Sequence, residues 1–308
     1  MSRGIMQIPE DLRKAGHINN EALKLALSIV EEGVELLDIA ERIENFIISR
    51  GGFPAFPVNI SINEVAAHYS PCIDDNKKIP PGSVVKIDVG VHVNGYISDA
   101  AITIFFNRKW KNLVYSAWSA LKAAISIAHD GLPLSDIGKA VSREITSRGF
   151  RPIENLTGHK IERYNLHAGK SVPNVPSIEF RFLRMKTGEI YAIEPFSTNG
   201  IGYVNSGGSS HIYRVVSTRR LKKSKELSHI LLELWNTYKG LPFSERWVIG
   251  KIIDKKETLE LLVREKRVHH YSMLIEDKRG FVAQFEDTIV VGESDSIPLV
   301  NTLEIIEF

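Results

Sequence analysis

VVKIDVGVHV (84–93) and YISDAAITIFF (96–106) flank Asn94-Gly95, and this stretch decides how the chain is built. Both segments are rich in strand-favouring residues. Asn-Gly fits the two positive-φ positions of a type I′ turn. A two-residue loop sets the register: Val93 pairs with Tyr96, Asp88 stands opposite Ala101, and Asp99 stands opposite Gly90. Side chains alternate faces along a strand, so Asp88 and Asp99 share one face as diagonal neighbours, with backbones about 7–8 Å apart. A slip of one residue would send them to opposite faces.

Working outward, the chain repeats itself. Residues 22–51 (ALKLALSIVEEGVELLDIAERIENFIISRG) and 120–149 (ALKAAISIAHDGLPLSDIGKAVSREITSRG) align without a gap, nearly half their positions identical. Each copy reads as two helices. Leu23, Leu27 and Val30 recur at helical spacing until Gly33 breaks the run. Asp38 followed by Glu41 has capping-box spacing for the next helix, which ends at Gly51-Gly52. The apolar faces are expected to pack on a sheet. A second echo superposes GSVVKIDVG (82–90) on GEIYAIEPF (188–196), and so Asp88 on Glu194. The spacing predicts a pseudo-twofold fold with carboxylates facing one another.

The second half lacks a tight hairpin. Its acidic strand, EIYAIEPFST (189–198), is followed by a Gly/Ser-rich stretch and three helical patterns near 224–239, 244–252 and 256–267. A strand returns at FVAQFEDTIVV (281–291), with Glu286 in its middle. The simplest account is a helical insertion between two strands that remain spatial neighbours. Residues 210–270 hold 14 Lys/Arg against 7 Asp/Glu, Lys222, Lys223 and Lys225 among them, whereas the remainder holds 25 against 30. A solvated helical surface accounts for this basic excess, and contact with a phosphate backbone is the alternative.

Composition bounds the setting. At 308 residues, 43% hydrophobic and 25% charged, the chain reads as ordinary globular protein with a large core. No run reaches the roughly 18 apolar residues of a membrane helix, and the start lacks an apolar secretory stretch. One cysteine, Cys72, excludes an internal disulfide and fits a reducing compartment. A cytoplasmic location is expected.

Four carboxylates in apolar strands require compensation, since buried like charges repel strongly. Lys86 is the one basic residue on these strands. Shared protons would offset two of the charges and two divalent cations all four, and oxygen ligands with an imidazole suit Mn, Fe, Co or Zn. The imidazole candidates lie in TGHKIERYNLHAGK (157–170), which holds His159 and His167. His68 occupies the place in the first half that His167 occupies in the second, so the two flank the site.

KIDVGVHVNGYISDAAITI, LTGHKIERYNLHAGKSVP, AIEPFSTNG and AQFEDTI together resemble the methionine aminopeptidases over nearly the whole chain. The helical insertion resembles the type 2 branch, in its short archaeal form. The resemblance implies an α/β (α+β) pita-bread fold with a curved antiparallel sheet covered by two helix pairs. Residues 1–198 and 269–308 would form the catalytic domain and 199–268 an inserted basic helical subdomain. Two divalent ions would be held by Asp88, Asp99, His159, Glu194 and Glu286, with Asp99 and Glu286 bridging. A bridging water would attack the peptide carbonyl, and Glu194 would shuttle its proton. His68 and His167 would orient the peptide and stabilise the transition state. Phe56, Leu166, His211 and Tyr271 would surround the methionine side chain.

The activity so implied is removal of initiator methionine from nascent proteins with a small second residue. The partners implied are nascent polypeptide N-termini, met by a monomer without membrane or DNA contacts, with a ribosome contact through the basic insertion. Two other readings stay open. Prolidases and X-Pro aminopeptidases resemble the same ligand pattern, and relatives without ligands serve as nucleic-acid or ribosome-associated modules.

Overall fold

The computed structural model describes residues 7–221 and 224–308; Lys222 and Lys223 of the basic run lie outside them. The helix pair recurs in space as in sequence. α1 (Glu10–Ile29) and α2 (Leu36–Ser49) are repeated as α3 (Lys111–Ile127) and α4 (Leu134–Ser147). Gly51 and Gly149 follow the second helix of each pair with φ of 79° and 82°, a conformation that costs glycine no Cβ clash.

Two local expectations fail. Leu27 is 41% exposed, because α1 buries a different stripe through Leu12, Ala15, Asn19, Leu23 and Ala26. No capping box forms at Asp38. α2 starts at Leu36 with Glu35 at the cap, so Asp38 sits inside the first turn, 3.4 Å from Arg42. Carbonyls from distant loops take the exposed N–H groups instead: Leu36 donates to Lys77 at 2.9 Å, and Leu134 to Leu183 at 2.8 Å. Tertiary structure supplies the cap that the local motif leaves unused.

Between the helix pairs run β1 (Asn59–Ile62), β2 (Val65–Ala67), β3 (Val84–Val93) and β4 (Tyr96–Phe105). The hairpin has the expected register, with Val93 paired to Tyr96, Asp88 to Ala101 and Gly90 to Asp99. Its turn residues Asn94 and Gly95 have φ of 50° and 84°. Buried Asn19 on α1 donates to the carbonyls of Val89, at 2.8 Å, and Ser98, at 3.1 Å. One amide therefore fixes the backbone beside both acids.

The second half contains β5 (Thr157–Ile161), β6 (Ile190–Ile193), β7 (Phe196–Thr198), β8 (Val204–Val215), β9 (Val268–Glu276), β10 (Val282–Gln284) and β11 (Asp287–Val291). The expected acidic strand breaks between β6 and β7 at Glu194-Pro195, where Pro195 has no N–H to donate. Its partner breaks at Phe285-Glu286. Ile193 pairs with Asp287 on one side of the break and Phe196 with Gln284 on the other. The strands on either side of the insertion are thus neighbours, as expected, and Glu194 and Glu286 occupy the gap.

The halves join along β4. Glu286 and Ala101 exchange backbone hydrogen bonds of 3.0 and 3.3 Å. Thr288 Oγ1 accepts from Asp99 N–H and donates to Asp99 C=O, both at 2.7 Å. Thr103 Oγ1 donates to Gln284 C=O at 2.6 Å.

The Gly/Ser-rich stretch is not an irregular connection. It forms most of β8, which pairs along β9 from Val204↔Glu276 to Val215↔Val268 with two register shifts. Between them lie α5 (Lys225–Tyr238), the single turn α6 (Glu245–Val248) and α7 (Lys256–Arg264). These pack a cluster of their own around Leu231, Leu234, Phe243, Val248 and Leu259. β9 also pairs with β2 through Leu274↔Ala67. Arg246 forks onto Glu44 of α2 at 2.8 and 3.0 Å and donates to Pro71 C=O at 2.9 Å. Among the described residues no helix is long and apolar enough to cross a membrane.

The Arg246 and Glu44 side chains are only 4% and 6% exposed, so removing one partner strands a buried charge. Glu44→Ala is expected to cost about 3–5 kcal/mol of unfolding free energy, measured by urea denaturation. A loss below about 1 kcal/mol would show that the pair does not anchor the helices.

Candidate metal centre

One cavity gathers residues from both halves. Its walls include Asp88, Asp99, His159, Glu194 and Glu286, together with His68, His167, Phe56, Leu166 and Tyr271. Asp88 and Asp99 arrive on the hairpin, and Glu194 and Glu286 at the two strand breaks. His159 arrives on β5, paired with Ala192 of β6, two residues before Glu194. Alternation brings the imidazole to the glutamate's side of the sheet.

Asp99, His159 and Glu286 each offer an atom within 4.8 Å of the other two. His159 Nε2 lies 3.4 Å from Asp99 Oδ2 and 3.7 Å from Glu194 Oε1. Asp88 Oδ1, Asp99 Oδ1 and His159 Nδ1 are shielded from solvent without hydrogen-bond partners. Buried polar atoms are rarely left so. An orphaned, oxygen-rich set with one imidazole is the donor chemistry that divalent cations such as Mn, Fe, Co or Zn accept. The residues fit the ions.

Electrostatics agree. Burial pushes the carboxyls of Asp88, Glu194 and Glu286 well above their ordinary range, and the neighbouring acids push them further. Lys86 gives no relief. Its fully buried ammonium donates to the carbonyls of Val282 at 2.9 Å and Asn63 at 3.0 Å, and burial lowers its pKa to about 7.

His68 and His167 do flank the cavity. His68 follows β2 with a left-handed φ of 65°, its ring edge-on to Tyr271 at 5.5 Å. The His167 ring lies 4.3 Å from that of His159. Burial, and beyond it the neighbouring imidazoles, lowers His167 to about 2. Burial lowers His68 to about 4. Both are neutral at pH 7.

The apolar wall differs from expectation at one position. Phe56, Leu166 and Tyr271 line the cavity and His211 does not; its neighbour Ile212 does. His211 instead turns to Glu245 at 3.4 Å. Its φ of 60° falls where β8 and β9 shift register, which disrupts strand alternation. Asn59 and Pro242 also line the cavity without having been anticipated. Asn59 pairs with Asp88 across β1 and β3, so reading NISI (59–62) as a neighbouring strand would have found it. Nothing local marks Pro242. Gly90 is required beside Phe56, because a Cβ there would sit 2.2 Å from the ring.

Residues 10–293 match metallopeptidase family M24. The chain is 41% identical over 294 residues to the methionine aminopeptidase of Pyrococcus horikoshii, covering 95% of this chain and 99% of that protein. It is 40% identical to the methionine aminopeptidase of Saccharolobus solfataricus, covering 94% and 95%. The crystal structure of methionine aminopeptidase from Rickettsia prowazekii superposes with a TM-score of 0.67 at 21% identity, covering 96% of this chain and all of that one. Its fold is the same curved pita-bread sheet with paired helices.

A pH dependence follows from the raised carboxyls. In the metal-free fold they keep protons that the unfolded chain releases near pH 4. Folded-state stability contributed by these groups therefore falls as pH rises above that point. Divalent cations need the ionised forms and compete with those protons. The rise in melting temperature on adding Mn²⁺ to chelated protein should accordingly be larger at pH 8 than at pH 5.5. An equal rise at both values would contradict the raised carboxyls.

Proposed function

Because the chain belongs to metallopeptidase family M24 and is a methionine aminopeptidase, we propose that it removes the initiator methionine from nascent proteins. The second residue of those substrates is small, and two divalent ions serve the reaction. The observation that carries this reading is the convergence of four carboxylates and three imidazoles in a cavity that Phe56, Leu166, Ile212 and Tyr271 also line.

Asp88, Asp99, His159, Glu194 and Glu286 would hold the ions. When bound, the ions would supply Lewis-acid polarisation and a water activated at neutral pH. Glu194, whose burial makes its carboxylate a stronger base than a free one, would, ionised with the ions in place, take a proton from the attacking water and deliver it to the departing amine. Neutral His68 and His167 would each offer an N–H to the scissile carbonyl and its developing charge. Phe56, Leu166, Ile212, Pro242 and Tyr271 would receive the methionine side chain, a larger role for β8 and the insertion than His211 alone implies. Nascent chains supply the partner.

Residues 199–268 are read as an inserted subdomain whose basic excess meets ribosomal RNA. Lys225 at the start of α5 is exposed. Charge reversal at Lys222, Lys223 and Lys225 should weaken co-sedimentation with ribosomes at low salt, and unchanged binding would remove that partner.

The central test is methionine release from Met-Gly and Met-Ala peptides. It should be abolished by chelation, restored by divalent metal, and much slower from Met-Leu or from Xaa-Pro peptides. His159→Ala should lose nearly all turnover together with one equivalent of metal. His68→Ala should keep its metal and lose roughly 10²–10³-fold in rate. Activity that persists after thorough chelation would overturn the mechanism.

A further inference from the structure

A second group of ligand-type side chains converges outside the acid cavity. Cys72 lies on the loop after β2, His211 on β8 and Glu245 on α6, and each offers an atom within 4.8 Å of the other two. Three separate elements contribute one ligand each. Glu245 is 1% exposed and Cys72 is half-buried. His211 Nδ1 stands 3.4 Å from Glu245 Oε1, yet it is shielded from solvent and makes no hydrogen bond.

That separation is informative. Two ligands each about 2.1 Å from one tetrahedral ion are about 3.4 Å apart. His159 and Asp99 in the acid cavity stand at the same 3.4 Å. A sulfur, an imidazole nitrogen and a carboxylate oxygen form a mixed set that hard cations avoid and Zn²⁺ accepts. Lys256 meanwhile balances Glu245, its Nζ 3.0 Å from Oε2 and 3.3 Å from Oε1.

We propose that Cys72, His211 and Glu245 form a separate site for one thiophilic divalent cation, Zn²⁺ by its donor set, with solvent in the fourth position. Binding exchanges the Cys72 thiol proton for the metal. The proton leaves to solvent and no electron moves. The ammonium of Lys256 yields its place beside Glu245, since the ion supplies the positive charge. The ion would tie together the loop that follows His68, the strand that carries Ile212 into the cavity wall, and the turn held to α2 through Arg246. It is a clamp between the inserted helices and the first half, made from residues that the acid cavity does not use.

Cys72 is the chain's one cysteine, so a thiol reagent reports on this site alone. With the acid cavity already filled by Mn²⁺, Zn²⁺ should slow modification of Cys72 by an aromatic disulfide reagent by at least about tenfold. Glu245→Gln should shift that protection to higher Zn²⁺ concentration, and Lys256→Met to lower. Should the half-buried thiol react slowly in every state, Co²⁺ provides the readout. Wild type should develop a thiolate-to-cobalt charge-transfer band in the near ultraviolet, and Cys72→Ser should not. The proposal fails if Zn²⁺ leaves the thiol's reactivity unchanged and Co²⁺ gives no such band. It fails equally if Cys72→Ser binds as many zinc ions per chain as wild type.

Discussion

Repulsion among buried carboxylates is the constraint on which the rest of this structure depends. Two like charges about 4 Å apart repel by about 4 kcal/mol at an effective dielectric near 20, and four acids approach one another here. The one lysine on the acidic strands does not answer them. Lys86 turns to the carbonyls of Asn63 and Val282, where it ties β3 to β10 instead of neutralising Asp88. Burial and mutual repulsion favour protons on Asp88, Glu194 and Glu286, and divalent cations would relieve the same repulsion. A fold tolerates such a site only if the backbone around it cannot spread.

The backbone is held from three directions. α1 pins the hairpin through Asn19, on residues adjacent to Asp88 and Asp99. The second half pins it through Thr288 and Thr103, whose hydroxyls bridge β4 to β10 and β11. The paired backbone groups of Ala101 and Glu286 close the seam between the halves. These contacts use neutral donors and acceptors, so they hold in either protonation state of the acids. The breaks at Glu194-Pro195 and Phe285-Glu286 then let two carboxylates lean inward without loss of register, since pairing resumes in step beyond them.

How legible this was depended on how local the determining physics is. The β3–β4 register follows from two turn residues, so Asn94-Gly95 was enough to place Asp88 and Asp99 on one face. The duplication carried α1 to α4 with their glycine stops. The repeat set Glu194 on Asp88, and the reading of an insertion made Glu194 and Glu286 neighbours across 92 residues of chain, whereas the choice of His159 over His167 as the ligand needed the family resemblance. Where the cause was tertiary, local reading failed. Asp38 has the spacing of a cap, yet Lys77 C=O reaches Leu36 first. The serines and glycines of 205–210 carry no strand propensity; they extend because β9 lies alongside. That His211 turns to Glu245 and Ile212 to the cavity could not be read locally, because a shift in pairing between two long strands is invisible in either one.

The inserted segment illustrates why stability and specificity are not separable here. It contributes Ile212 and Pro242 to the cavity, and β9, which leaves it, contributes Tyr271. These residues hold their places only while the helical cluster stays against the first half. That docking rests on the Arg246–Glu44 pair and on β9 joining β2 just before His68. The segment is therefore part of the cavity wall as well as a basic surface. A change at Glu44, remote from every candidate ligand, would act on the enzyme through the shape of its pocket, with the carboxylates left in place.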